Sequence, residues 1–224
     1  MRRLGTAASV LLALAAATKA PAQELNLANT STARPRIVEA RTGLDHALLG
    51  EVGYRHVLAW QDRQVFVGGA VAVPWARADL GDYRVRATVG LPLGTEHWKL
   101  AGWLSPTLRG TQNAASRMTA LGVDSRLTGG YYARRWFVAG EVGLDWVATT
   151  HIAFRDAYRT RVYAGAKDGW YRLPGGTAYA GLHGGVSFSS FDLVLRAGHP
   201  RTTALEQQTV PFYLTAGVNV ALPP

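Results

Sequence analysis

The sequence predicts an all-β fold: a transmembrane, antiparallel, up-and-down β-barrel of ten strands, with eight and twelve as the neighbouring even counts. Three observations carry this. First, from Trp136 to Trp146 every second residue is apolar or Gly (Trp136, Val138, Gly140, Val142, Leu144, Trp146), and the interleaved set is Phe137, Ala139, Glu141, Gly143 and Asp145. Successive side chains of a strand point to opposite faces. One face is therefore uncharged with Trp at both ends, and the other carries two carboxylates. Ten steps of about 3.3 Å, tilted about 45°, span roughly 23 Å, close to the apolar band of a membrane barrel. Second, the same alternation returns in segment after segment. Third, beyond the first two dozen residues no apolar run is long enough for a membrane helix. With 48% hydrophobic and 17% charged residues the composition looks like that of a soluble chain, because a barrel hides its hydrophobicity in alternation.

Residues 1–22 read as an export signal. Arg2 and Arg3 form the positive start, Ser9 to Ala17 the apolar stretch, and Ala20-Pro21-Ala22 a small-x-small cleavage site that leaves Gln23 first. The apolar stretch is too short to span a bilayer as a helix, which needs about 20 residues. The absence of Cys excludes disulfides, thiolate catalysis and a lipoprotein anchor. The formal charge is +9, and +6 without Arg2, Arg3 and Lys19. Export and the scatter of single charges among strands argue against nucleic acid as the partner. Lumen charge and attraction to lipid headgroups fit better.

Residues 23–43 are polar, contain Pro35 and lack a sustained period. They read as a lead-in on the periplasmic side, with an ordered plug as the alternative. The barrel is placed over 44–224. Its strands, in order, begin with Leu48–Leu58, whose register is ambiguous and which breaks at Trp60-Gln61-Asp62. Val65–Trp75 follows, with Phe66, Gly68, Ala70, Ala72 and Pro74 on its inner side. In the third, Tyr83, Val85, Ala87, Val89 and Leu91 oppose Arg84, Arg86, Thr88 and Gly90. The fourth sets Trp98, Leu100, Gly102 and Leu104 against Lys99, Ala101, Trp103 and Ser105, and Pro106 marks its fraying end. The fifth is Thr119–Thr128, with Gly122, Asp124 and Arg126 inside, and the sixth is the Trp136 strand. The seventh has Val162, Ala164 and Ala166 outside and Arg161, Tyr163, Gly165 and Lys167 inside. The eighth has Ala178, Ala180, Leu182, Val186 and Phe188 outside, with Tyr179, His183 and Ser187 inside. A tight Ser189-Ser190 hairpin should pair Phe188 with Phe191 at a membrane interface. The ninth sets Phe191, Leu193, Leu195 and Ala197 against Asp192, Val194 and Arg196, and the last puts Tyr213, Thr215, Gly217 and Asn219 inside. Inner glycines suit a narrow lumen.

On this pattern the chain resembles bacterial outer-membrane β-barrel proteins, over the leader and roughly residues 44–222. The last strand carries the sharpest likeness. Such proteins tend to end in polar-x-Gly-x-x-hydrophobic-x-hydrophobic, and Thr215, Gly217, Val220 and Leu222 fill those places. The usual final aromatic is replaced here by Leu222 followed by Pro223-Pro224. The resemblance implies insertion into the cell outer membrane by the barrel-assembly machinery, and contact with outer-membrane lipid and lipopolysaccharide.

The interior charges are the main functional candidates: Glu51, Arg84, Arg86, Lys99, Asp124, Arg126, Glu141, Asp145, Arg161, Lys167, Asp192 and Arg196. They read either as a slightly cationic pore wall or as ion pairs filling a lumen too narrow for continuous water, the favoured reading for ten strands. Asp124 and Arg126, two apart on one face, look like a structural pair. A catalytic set fares worse. His183 and Ser187 share a face with Glu141 nearby, but four residues of strand separate them by about 13 Å, too far for a nucleophile–base hydrogen bond. No Gly-x-Ser-x-Gly elbow occurs. The six histidines (His46, His56, His97, His151, His183, His199) fall one per segment without metal-ligand spacing. No cofactor or metal is expected. Most Trp residues lie at strand ends, as an interfacial girdle requires. The expectation is thus a non-enzymatic outer-membrane barrel with a structural or surface role, or a small passive channel. The alternatives are a lipid-modifying outer-membrane enzyme of acyl-hydrolase type and a soluble periplasmic, lipocalin-like binder of an apolar ligand. On the facing assignment, Val142→Arg should be costly and Gly143→Ser cheap.

Overall fold

A computed structural model of the chain describes residues 24–45, 47–75, 81–172, 175–202 and 211–223. The expected signal peptide lies outside the described residues. The strands are β1 (Arg36–Asp45), β2 (Ala47–Trp60), β3 (Arg63–Pro74), β4 (Tyr83–Gly94), β5 (Trp98–Gln112), β6 (Ser116–Tyr132), β7 (Trp136–Phe154), β8 (Gly169–Tyr171), β9 (Gly175–Ser187), β10 (Phe191–Thr202) and β11 (Tyr213–Leu222), with one short helix, α1 (Asp156–Arg161). Each of the ten strands other than β8 pairs antiparallel with two neighbours in the ring, β11 returns to β1, and β6 joins β7, so the ten close into a barrel. β8 stands outside the ring. It occupies, on the upper part of β7 (Thr150–Ile152), the side that β9 occupies below.

Alternation sets the two faces. Val85, Val89, Leu104, Val138, Val142, Leu182, Leu195 and Leu214 are all exposed, whereas Glu51, Arg55, Arg86, Arg126, Glu141 and Arg196 are buried. The barrel is apolar outside and charged inside, the reverse of a water-soluble protein. Aromatics ring the end at which β1 starts and β11 finishes, the terminal end. Trp98 meets Tyr131 edge-on at 5.6 Å, Tyr131 stacks on Trp136 at 5.3 Å, and Phe188 stacks on Phe191 at 4.6 Å across the Ser189-Ser190 turn. Short turns lie at this terminal end. One is the two-residue turn Gln61-Asp62, both at positive φ (48° and 62°), the primed geometry that suits the twist of a hairpin. The longer connections lie at the opposite, distal end, where β6 and β7 rise past the ring.

The structure corrects the sequence reading in four places. The lead-in assigned to 23–43 contains β1, which pairs along its length with both β2 and β11. Its outward residues Val38, Ala40 and Thr42 are too small to advertise a lipid face. The segment before it is the plug, not a free lead-in: Glu24, Leu25, Asn26 and Leu27 are buried inside the barrel. The strand expected over 161–167 does not exist. β7 runs eight residues beyond Trp146, which leaves 155–168 outside the ring as α1 and a turn, with Arg161 and Lys167 exposed. Ten strands are reached only because one strand was missed and one was invented. Finally, Pro106 does not end β5. The β4–β5 ladder is interrupted opposite it, between the pairs Val89↔Leu104 and Arg86↔Thr107, so no partner needs the N–H that proline lacks. A hydroxyl bond between Thr88 and Ser105 (2.9 Å) bridges the gap.

Candidate functional site in the lumen

Three layers fill the interior. At the terminal end Ile37, Val57, Phe66, Trp103, Tyr132, Phe137 and Val194 form a buried apolar cluster, which Leu25 and Leu27 of the plug complete. Phe66 and Trp103 lie 5.5 Å apart, and Tyr132 stacks on Phe137 at 5.5 Å. Trp103 is satisfied by donating its indole N–H to Thr128 (3.2 Å).

The middle layer is ionic and centres on two carboxylates. Glu141 receives Arg196 (2.5 Å), Arg126 (3.3 Å) and the Tyr213 hydroxyl (2.6 Å). Glu24 is carried in by the plug and lies 3.1 Å from Arg41, 3.4 Å from Arg196 and 3.6 Å from Arg126. The Glu24 carbonyl accepts from Asn219 (2.6 Å), which in turn accepts from Arg41 (2.6 Å). Beside them Glu39 pairs with Arg55 (2.8 Å) and Arg41 (3.2 Å), and Glu51 with Arg86 (2.5 Å). Arg55 and Arg126 also sit over the Trp103 ring, at 5.1 and 5.8 Å, joining this layer to the apolar one. Buried guanidiniums need such partners, because an unpaired charge in this setting costs several kcal/mol.

Towards the distal end lies a thinner layer. Asp145 takes Arg109, with Arg84 at 3.9 Å, and Asp124 accepts from Tyr179 (2.8 Å). The space between these groups is about 30 Å³, room for about one water molecule. At the centre of the lumen Glu24, Arg41 and Glu141 are almost completely buried, so the described side chains close it there.

Ten of the twelve charges read from the sequence line this interior, and Arg161 and Lys167 do not. Lys99 is half-buried on the lumen side of β5. Asp192 sits near the terminal hairpin and accepts from Ser187, Asn219 and the Asn26 backbone. Asp124 and Arg126 are not a pair: the first serves Tyr179 and the second Glu141 and Glu24. Five members were missed: Glu24, Glu39, Arg41, Arg55 and Arg109. Glu39 and Arg41 alternate with Ile37, and Arg109 continues the inner set of β5 past Pro106, so both were open to pattern reading. Glu24 was not, since it belongs to no period.

The proposed catalytic pair is separated in use. His183 faces Glu141 at 3.7 Å, while the Ser187 hydroxyl accepts from Asn26 (2.8 Å). Of the assembly-signal residues, Thr215 and Gly217 face the lumen and Val220 and Leu222 the outside, and their strand closes the barrel on β1. Gly217 has a local reason as well. A Cβ there would fall 2.4 Å from the Arg41 side chain, so the glycine makes room for that guanidinium's stem. Among the described residues no group of three His, Asp or Glu is placed to hold a metal ion.

No family model matches the chain, and no curated protein matches it. Among solved structures, the β domain of the Bordetella autotransporter BrkA is similar with a TM-score of 0.38 and 12% sequence identity, over 84% of this chain and 99% of that one. Likeness at this level does not bear on function or on individual residues.

Proposed function

We propose that the protein is a bacterial outer-membrane β-barrel without enzymatic activity, closed at rest, whose role is structural or at the cell surface. The observation that carries this is the combination of an apolar exterior with a lumen whose described middle is packed with buried, paired side chains. Hydrocarbon can solvate the outer face, and closure leaves no polar strand edge to meet it. The interior offers neither the continuous water a passive channel needs nor the apolar cavity a lipocalin-like binder needs. The acyl-hydrolase reading finds no support either, since the Ser187 hydroxyl accepts from Asn26 while His183 faces Glu141 at 3.7 Å.

With the termini on the periplasmic side, the distal connections face outward. They carry exposed Arg117, Arg155, Arg161, Lys167 and Arg172, and the exposed rings of Tyr163 and Trp170. Basic and aromatic side chains at that height suit the phosphates of lipopolysaccharide. Among the described residues the guanidiniums of the middle layer face carboxylates, and these distal side chains do not. The barrel-assembly machinery is the partner implied for insertion, through β11.

Reconstitution in planar bilayers tests the reading. A heat-modifiable, detergent-extracted barrel that gives no discrete conductance steps fits it. Steady anion-preferring steps from the wild-type protein would replace it with the channel reading.

A further inference from the structure

One cavity stands apart from the filled lumen. About 680 Å³ in volume, it opens at the terminal end between the plug and the β9–β10 hairpin. That is within the range of small-molecule sites, about 300–1,000 Å³. Arg34, Arg134 and Arg135 line it, and all three are exposed. Unlike the lumen arginines, they have no carboxylate partner among the described residues, where Arg34 donates to the Ser189 carbonyl (3.3 Å). Its lining runs from Asn26 and Asp192 on the inner side, over the hairpin, to Phe188 and Phe191. Those two rings stack on each other, and Phe188 is half exposed on the outward face.

We infer that this cavity binds the headgroup of an anionic phospholipid from the periplasmic leaflet. The inference rests on the membrane placement proposed above. The shape has two parts that match the two parts of a lipid. Three guanidiniums at the mouth supply donors and charge for a phosphate, and Arg is suited to it by its planar fork. The Phe188–Phe191 stack continues from that mouth onto the lipid-facing wall, where an acyl chain would lie. Net charge decides among headgroups. A choline or ethanolamine ammonium would sit against three like charges. Asp192, the one carboxylate in the lining, already accepts from Ser187, Asn219 and the Asn26 backbone. A glycerol headgroup adds hydroxyls without adding a cation, so phosphatidylglycerol is favoured.

The experiment is native mass spectrometry of the detergent-solubilised barrel, titrated with phosphatidylglycerol, phosphatidylethanolamine and phosphatidylcholine. One phosphatidylglycerol per barrel should be retained in preference to the other two. Arg134→Gln and Arg135→Gln should each lower that retention about fivefold, the change that about 1 kcal/mol per basic side chain implies. Arg201→Gln, exposed at the distal end of β10 and outside the lining, should leave it unchanged. These side chains are exposed, and heat-modifiable gel mobility verifies that each variant folds. Equal retention of all three lipids, a preference for phosphatidylethanolamine, or retention untouched by R134Q/R135Q would overturn the inference. So would full displacement by millimolar inorganic phosphate, which would mark a site for the free anion. A protein that stays soluble without detergent would instead overturn the membrane reading itself, and this inference with it.

Discussion

The terminal and middle layers of the lumen are filled by opposite chemistry, and one short segment serves both. Leu25 and Leu27 enter a cluster of Phe, Trp, Tyr and Val that would pass for the core of a soluble domain. Their neighbour Glu24 enters a lattice of guanidiniums. The apolar layer gains by leaving water, in proportion to area and without direction. The ionic layer gains only what remains after desolvation, and its geometry must be met group by group. The wall, cationic in excess, accepts one more carboxylate at its centre. The plug is therefore a wall component delivered from the segment before β1, and sealing the lumen is built into that stretch of sequence.

Removing single members of each layer tests that contrast. Glu141→Gln should have the largest effect. It strips the charge that Arg126 and Arg196 share, and breaking a buried pair costs about 3–5 kcal/mol. Urea unfolding monitored by tryptophan fluorescence would measure it, and a loss no greater than that of a surface variant would mean the layer is hydrated. Leu25→Ala or Leu27→Ala should follow, at about 2–5 kcal/mol, because the cluster can collapse only partly around the lost volume. If either is neutral, the plug does not anchor through its leucines. Glu24→Gln should cost less than Glu141→Gln, since Glu24 lies farther from Arg126 and Arg196 (3.6 and 3.4 Å, against 3.3 and 2.5 Å for Glu141) and Arg41 keeps Glu39.

The inner and outer faces of β7 contrast as well. Val142→Arg, exposed on the lipid side near mid-strand, should cost about 2–4 kcal/mol in a bilayer-refolding assay. Reading the sequence alone makes Gly143→Ser the harmless control. The structure revises this: a Cβ at 143 would lie 2.3 Å from the Tyr179 ring, so that ring must move and its bond to Asp124 with it. Ser125→Ala, on an exposed position of β6, is the better control.

How much could be read in advance follows from size contrast. Between Trp136 and Trp146 the outer set is bulky and the inner set small or charged, so strand, face and most site residues were legible. In β1 the outer set is Val38, Ala40 and Thr42, and the strand went unseen although its inner set, Ile37, Glu39 and Arg41, is informative. Around Val162, Ala164 and Ala166 the same weak contrast produced a strand that is not there. Alternation among small residues carries little about what solvates them. Plug contacts were beyond reach for a different reason. Asn219 donates to Glu24 across 195 positions, and no local period encodes a partner that distant.

The outer connection that replaced the invented strand supplies the smallest predicted effect. Asp168 accepts the Phe154 backbone N–H (2.8 Å) and a guanidinium N–H of Arg159 (2.5 Å), tying the end of β7 to the turn after α1. The Phe154 hydrogen bond first, and Arg159 second, hold its carboxyl below the ordinary 3.8. A carboxylate lowered on folding favours the closed loop above its ordinary range, and that contribution fades as pH falls through the lowered value. The clasp should therefore be intact at neutral and mildly acidic pH and open only in strong acid. Limited trypsin cleavage at Arg161 and Lys167 should be slow for the wild type at pH 7 and faster for Asp168→Asn, with barrel heat-modifiability unchanged. Identical cleavage of the two proteins would mean that α1 holds this loop without Asp168, and that Asp156, 3.0 Å from Arg159, is the partner that matters.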